Sequence, residues 1–354
     1  PDYGKIVGFA RGSRPVSTTE FVSYHRHTLP ALLADGRSDL LRGQRLPVLA
    51  IAVDDEAAIF TYRWDEGQLD IQPGCDQAEV FVRLAGGDWQ GLVGDLESIP
   101  GIIYGDRLLE HRGDLMGLIR WEPALRALYT GRPIYDPQSF VLQAADGARL
   151  NPLTAFALDS ETGAMREFLN AAGYLLVKDV FQEEELAQFR RAAEEIAGAA
   201  QEGDQQSWWG KNAAGEAVLS RCLNAGEHPT YNGLYNDPRI LRLSGLLPEG
   251  MRHAPAQEKD SVTVIFNRPG VTEGLSDLPW HRDCGMGGHA TMCPTFIFSI
   301  YLYDATEESG PLQFLPGSHR FAFGFADASL VNIPNAVTVP ARAGDITLHV
   351  SDVM

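Results

Sequence analysis

The sequence predicts two domains, an α+β unit of sheet and helices followed by a unit of flanking helices and many strands. Three observations predict this. Apolar residues recur at helical spacing over 17–42 and then alternate as strands do over 47–84. Between 131 and 160, Gly131, Pro133, Asp136-Pro137, Asp146-Gly147 and Asn151-Pro152 crowd together without a long periodic run, as in a linker. Beyond 261 short strands dominate. At 354 residues the chain has room for two to three domains of roughly 100–200 residues each.

Hydrophobic content of 44% and charged content of 21% are enough for a soluble chain with a real core. A net charge of -18 argues against binding a phosphate backbone or an anionic bilayer, both of which need clustered Lys and Arg. Cys75, Cys222, Cys284 and Cys293 form no CxxC pair, so free thiols in a reducing cytoplasm are expected. Cys284 reads as packing rather than ligation. No run of about 18 apolar residues predicts a membrane span. The start shows neither a signal-peptide pattern nor an initiator Met, so a fragment of a longer chain is expected.

In the first domain, Ser17 or Thr18 can cap a helix over 17–42 carrying Phe21, Tyr24, Leu29, Leu32 and Leu33. Strands are predicted at 46–53, 57–64 and 68–72, with turns at Asp54-Asp55-Glu56 and Asp65-Glu66-Gly67. Pro73-Gly74 ends the meander and 78–84 alternates as a half-buried strand. A helix begins at Asp88-Trp89-Gln90, a Gly- and Pro-bearing loop spans 98–105, and a last helix runs over 114–128.

The Gly74 break, the Ala78-Glu79-Val80-Phe81-Val82-Arg83-Leu84 strand, Asp88-Trp89, Gly105 and Gly113-Asp114-Leu115-Met116 together resemble the sterol carrier protein 2 (SCP2)-like domain over about 15–130. That resemblance implies a five-stranded sheet under helices, enclosing an apolar tunnel for acyl chains or sterols. A plain α+β scaffold fits the same residues. The boundaries are 1–135 for this domain, 136–160 for the linker and 161–354 for the second domain.

The second domain opens with a short helix from Arg166 that Gly173 ends, then the strand Tyr174-Leu175-Leu176-Val177. A helix follows to about Ala200, with Glu183, Glu184 and Glu185 placed favourably in its first turn. Residues 201–217 read as a polar surface loop, with Trp208-Trp209 either anchoring it or forming a lid. A short helix covers 237–243. Strands are predicted at 261–267, around 280, and at 295–303, 312–315, 337–340 and 345–350.

The chemistry centres on Trp280-His281-Arg282-Asp283. Residues two apart on an extended segment share a face, so His281 and Asp283 can converge while Arg282 points away. A second histidine would complete a set of two imidazoles and one carboxylate, which holds non-haem Fe(II) and leaves open positions. His349 is the natural candidate.

Five motifs in order resemble the phytanoyl-CoA dioxygenase (PhyH) family of Fe(II)/2-oxoglutarate oxygenases. They are Ala172-Gly173-Tyr174-Leu175-Leu176-Val177, Phe266-Asn267-Arg268-Pro269-Gly270, Trp280-His281-Arg282-Asp283, the Ser309 to Arg320 stretch with Pro316-Gly317-Ser318-His319-Arg320, and Gly344-Asp345 before His349. The resemblance implies a double-stranded β-helix, a jelly roll with flanking helices. Its metal ligands are His281, Asp283 and His349, with Fe(II), 2-oxoglutarate and O2 as cofactors. Oxidative decarboxylation of 2-oxoglutarate is coupled to oxidation of a substrate C–H bond. A carboxylate at Asp283, where halogenating relatives carry a small residue, points to hydroxylation or another C–H oxidation. The resemblance gives Ser351 and Arg221 to the cosubstrate. Alternation along 295–303 turns Ser299 and Tyr301 toward the cavity. The family's arginine for the far carboxylate of 2-oxoglutarate would follow His349 by about ten residues. The chain as given ends at Met354, and that arginine is expected beyond it.

The remaining histidines have structural readings: His25, His27 and His111 lack partner spacing, His228 and His253 belong to loops, and His319 to its turn. His289 could contact substrate. The expectation is thus a cytoplasmic Fe(II)/2-oxoglutarate dioxygenase hydroxylating a hydrophobic lipid, acyl or isoprenoid-like small molecule, with no nucleic-acid partner. Two alternatives stand: a lipid carrier with an inactive oxygenase barrel, and an oxygenase of a polar metabolite whose first domain dimerises.

Overall fold

The computed structural model describes residues 18–54, 57–65, 67–246, 262–268, 270–273, 280–283, 295–306, 309–324, 326–327 and 332–354. They fall into two compact units. The first takes the described residues of Pro1–Asp136, His281–Cys293 and Ser318–Asp327, and the second those of Pro137–Trp280, Pro294–Gly317 and Ala328–Met354.

In the first unit, β1 (Leu49–Val53), β2 (Ile59–Asp65), β3 (Gln68–Pro73), β4 (Val80–Leu84) and β5 (Leu108–Arg112) make a sheet of order β3-β2-β1-β4-β5. β1 pairs parallel with β4, and the other neighbours are antiparallel. Every residue of Leu-Ala-Ile-Ala-Val in β1 is buried, as befits a central strand covered on both faces. Leu49, Ile51 and Val53 join Phe21, Leu29, Trp89, Leu118 and Trp121, which fill the helix-covered face. Ala50 and Ala52 pack with Phe81 in a separate cluster.

The helix expected over 17–42 is broken into α1 (Thr18–Ser23), a widened π turn at Tyr24–Thr28, α2 (Leu29–Ala34) and a 3-10 turn at Arg37–Leu41. Pro30 lacks the N–H that an uninterrupted α-helix requires, and Gly36 at φ 85 ends α2. α3 (Gly86–Val93) follows β4. The expected loop at 98–105 is instead a short helix, α4 (Ile99–Tyr104). Ser98 Oγ accepts the Gly101 N–H at 3.0 Å, and Pro100 sits in the first turn, where no N–H is needed. α5 (Leu115–Thr130) starts at Asp114, whose carboxylate accepts the Met116 N–H at 3.0 Å, and ends at Gly131.

His25 is buried in this core. Its Nε2 lies 2.6 Å from Tyr62 Oη, which lies 2.9 Å from Tyr129 Oη. Burial lowers the His25 pKa from 6.5 to about 4. The unfolded chain therefore binds a proton here that the folded chain refuses between those values. Stability is expected to fall as pH drops from 6.5 toward 4, by on the order of 3 kcal/mol from this group. Urea unfolding of His25→Gln against the parent at pH 7.5 and pH 4.5 checks it; equal pH dependence would exclude His25 as the cause.

In the second unit, β6 (Ala155–Ala157) turns part of the expected linker into an edge strand parallel to β7 (Tyr174–Lys178). α6 (Thr162–Ala172) precedes β7 and α7 (Glu183–Ala199) follows it. The expected polar loop at 201–217 is largely a hairpin of β8 (Ser207–Asn212) and β9 (Ala217–Cys222), so Trp208 and Trp209 are strand residues. Asn212 Oδ1 accepts the Ala214 and Glu216 N–H groups, both at 3.0 Å, and this side-chain turn closes the hairpin.

After α8 (Pro238–Ser244) come β10 (Val264–Ile265), β11 (Val271–Glu273), β12 (Trp280–His281), β13 (Phe296–Ile300), β14 (Gln313–Phe314), β15 (Ala326–Asp327), β16 (Val337–Thr338) and β17 (Ile346–Val350). The strands form sheets β13-β17-β7-β6, β10-β9-β8-β11 and β14-β16, while β12 pairs with β15. Among the described residues the second unit is therefore a set of separate sheets with flanking helices. Among them, too, no helix is long and apolar enough to cross a membrane.

The turn into β17 is fixed by Asp345, 1% exposed, which accepts the Lys178 ammonium at 2.8 Å, the Asp179 N–H at 3.0 Å and the Arg342 N–H at 2.7 Å. Asp345→Ala removes the buried acceptor that these three donors share. It is expected to cost about 2 kcal/mol, read as a lower urea midpoint at unchanged m-value.

Candidate metal-binding site

The first unit carries Trp280 to Asp283 only from His281 onward, and the burial of the segment alternates. His281 and Asp283 side chains are 34% and 38% exposed, with His281 Nε2 3.5 Å from Asp283 Oδ1. Arg282 between them is buried and reaches Glu122 of α5, Nη2 to Oε1 at 3.5 Å. The two donor side chains thus share the open side and the guanidinium takes the inner one.

Around Glu122 lies a buried charge network. Arg126 Nε meets Asp95 Oδ1 at 3.0 Å and Arg132 Nη2 meets Asp95 Oδ2 at 3.1 Å. Burial pushes the Glu122 carboxyl up, and the charges of Arg282 and Arg126 oppose that rise.

His349 stands on β17 in the second unit, buried between two neighbouring strands. Its cross-strand partners are Ile297 on β13 and Tyr174 on β7; two residues earlier, Thr347 faces Ser299 and Leu176. Directly opposed residues share a face, so His349, Thr347, Ile297, Ser299 and Tyr174 lie on one side of the sheet. Tyr301 continues the alternation, its hydroxyl 3.3 Å from Thr347 Oγ1 and its pKa raised by burial. The Phe314 ring lies 5.2 Å from His349 and stacks on Tyr174 at 4.6 Å.

Ser299 and Tyr301 are therefore on the His349 face. Ser351 is buried, and its hydroxyl donates to the Thr295 carbonyl at 2.8 Å. Arg221 sits on β9, in a different sheet from His349, with its guanidinium 4.8 Å from the Trp208 ring centre. Thr347, Tyr174 and Phe314 were not singled out from sequence; the two-residue spacing of Thr347 from His349 was the available signal. His253, His289, Cys284 and Cys293 lie outside the described residues.

His281 and Asp283 belong to the first unit and His349 to the second, and among the described residues no three His, Cys, Asp or Glu side chains stand together as a metal-holding group. The donor chemistry nonetheless suits iron. Two imidazoles and one carboxylate are the set that holds Fe(II) with positions left open. The His281–Asp283 pair is short-spaced and accessible.

No curated protein sequence matches this chain. Among solved structures, EvdMO1 is 21% identical, with 54% of this chain and 44% of that chain covered and a TM-score of 0.38. The non-heme alpha ketoglutarate dependent carbocyclase SnoK from nogalamycin biosynthesis is 20% identical over 56% and 78% of the two chains, at a TM-score of 0.39. EctD from S. alaskensis, solved with 2-oxoglutarate and 5-hydroxyectoine, is 19% identical over 63% and 75%, at 0.40. The family model for phytanoyl-CoA dioxygenase (PhyH) matches residues 169–354. That match lends no support to the SCP2-like reading of the first domain, which lies before it. It covers more than half of the sequence, and the chain belongs to the phytanoyl-CoA dioxygenase family, whose members use Fe(II), 2-oxoglutarate and O2.

Proposed function

We propose that this chain is an Fe(II)/2-oxoglutarate-dependent dioxygenase that hydroxylates a hydrophobic small molecule, with His281, Asp283 and His349 holding the iron. The observation that carries the reading is the alternation at 281–283, which sets an imidazole and a carboxylate 3.5 Å apart on the accessible side of one segment. When bound, the iron supplies, with 2-oxoglutarate and O2, the oxidising power for a C–H bond. The protein's own part is positional. Asp283 brings negative charge to the metal. Ser299, Thr347 and Tyr301 offer hydroxyls on the His349 face for the cosubstrate, and Tyr174, Phe314 and Ile297 make that face largely apolar.

Succinate release with a panel of acyl, isoprenoid and polar candidates tests the substrate class. Stimulation by the apolar members alone is the expected result; stimulation only by polar members overturns it. The packed interior of the first unit, where Trp121, Leu118 and Trp89 fill the helix-covered face of the sheet, favours a second reading. In it the substrate is a polar metabolite and the first domain serves dimerisation. Native mass spectrometry separates the two by lipid carried or dimer formed.

A further inference from the structure

We propose that Glu122 is a positioning residue for the His281–Asp283 pair, acting through Arg282. The inference rests on the reading of His281 and Asp283 as iron ligands. Arg282 is the residue between them, and its side chain is 4% exposed while theirs are open. A guanidinium cannot be deprotonated in a protein, and a buried charge needs an answering one. Glu122, itself 3% exposed, supplies it at 3.5 Å.

The other nearby cation is answered elsewhere. Arg126 Nε is 3.0 Å from Asp95 and only its Nη2 approaches Glu122, at 3.9 Å. Glu122 lies on α5, which is anchored in the sheet by Trp121 beside it: Trp121 is fully buried and its Nε1–H donates to the Pro47 carbonyl at 2.8 Å. The carboxylate therefore has a fixed address. If it is lost, Arg282 gains by turning toward water. Because Arg282 lies between the two in the chain, that turn carries His281 and Asp283 off their shared open side.

Outer partners of metal ligands typically bring 10- to 100-fold in metal affinity, and about that range is expected here. The test is anaerobic Fe(II) titration of the full chain, with thermal unfolding followed alongside. Glu122→Gln is expected to weaken Fe(II) binding by about 10- to 100-fold. Glu122→Asp, which keeps the charge but withdraws it by one methylene, is expected to weaken it less and to retain the fold. Arg282→Met combined with Glu122→Gln is expected to bind no worse than Arg282→Met alone, since both act through one contact. Unchanged affinity in Glu122→Asp and Glu122→Gln, or losses that multiply in the double variant, overturns the proposal. His281→Ala separates the two claims. If it too leaves Fe(II) affinity unchanged, the ligand reading itself fails; if it weakens binding while the Glu122 variants do not, only the positioning role falls.

Discussion

His281→Ala is expected to weaken Fe(II) binding by more than about 100-fold, beyond what loss of an outer partner costs, and to stop Fe(II)-dependent consumption of 2-oxoglutarate. The thermal midpoint should barely move. His281 is partly exposed and its imidazole belongs to neither large apolar cluster, so truncating it opens no cavity. Asp283→Asn should keep the fold as well, and lose affinity because a neutral amide oxygen replaces the one anionic donor of the set. Succinate assay and anaerobic titration on the same preparations check both. Iron binding at parental strength in His281→Ala would remove that residue from the site.

Gly344→Ala is expected to show the largest stability effect. Gly344 has φ +90, and a β-carbon placed there would stand 2.4 Å from the Phe181 carbonyl oxygen. The backbone conformation and the collision each cost energy, and the struck atom is main chain that cannot swing aside. The sum is about 4 kcal/mol or more. The same turn delivers Asp345 to its three donors and starts β17, the strand of His349. A urea unfolding curve shows the loss as a fall in midpoint, and iron affinity measured under folding conditions should fall with it. A parental midpoint would mean that the Phe181 carbonyl moves freely, contrary to its place in the close packing around Gly344.

Much of this was legible in the residues. Strands with strong alternation or β-branched content, such as 49–53, 80–84 and 346–350, lie where their patterns put them. Breaks in local periodicity were harder. Pro30 stands in the first turn of α2, just after the π turn that interrupts one expected helix, and Pro100 in the first turn of an unexpected one, where no N–H is needed. The β8–β9 hairpin was hidden by polar composition, since its strands expose residues such as Lys211 and Ala217 and its turn rests on the Asn212 side chain.

At the site, two-residue spacing sufficed to put His281 and Asp283 on one side and Arg282 on the other. It could not reveal Glu122, whose partner is distant in sequence and appears only once α5 is packed on the sheet. His25 lacked any partner spacing for the same reason, and its contact with Tyr62 joins a helix to a strand. The motif order from Ala172 to His349 named the family, which the match over 169–354 shows. The first domain offered no comparably ordered motifs.

The most direct test of the central claim, that His281, Asp283 and His349 hold one iron, is X-ray absorption at the iron edge on the Fe(II)-loaded chain. The parent should show scattering from two imidazoles. His281→Ala and His349→Ala should each lose one imidazole or fail to load. An unchanged iron environment in either variant would contradict the account.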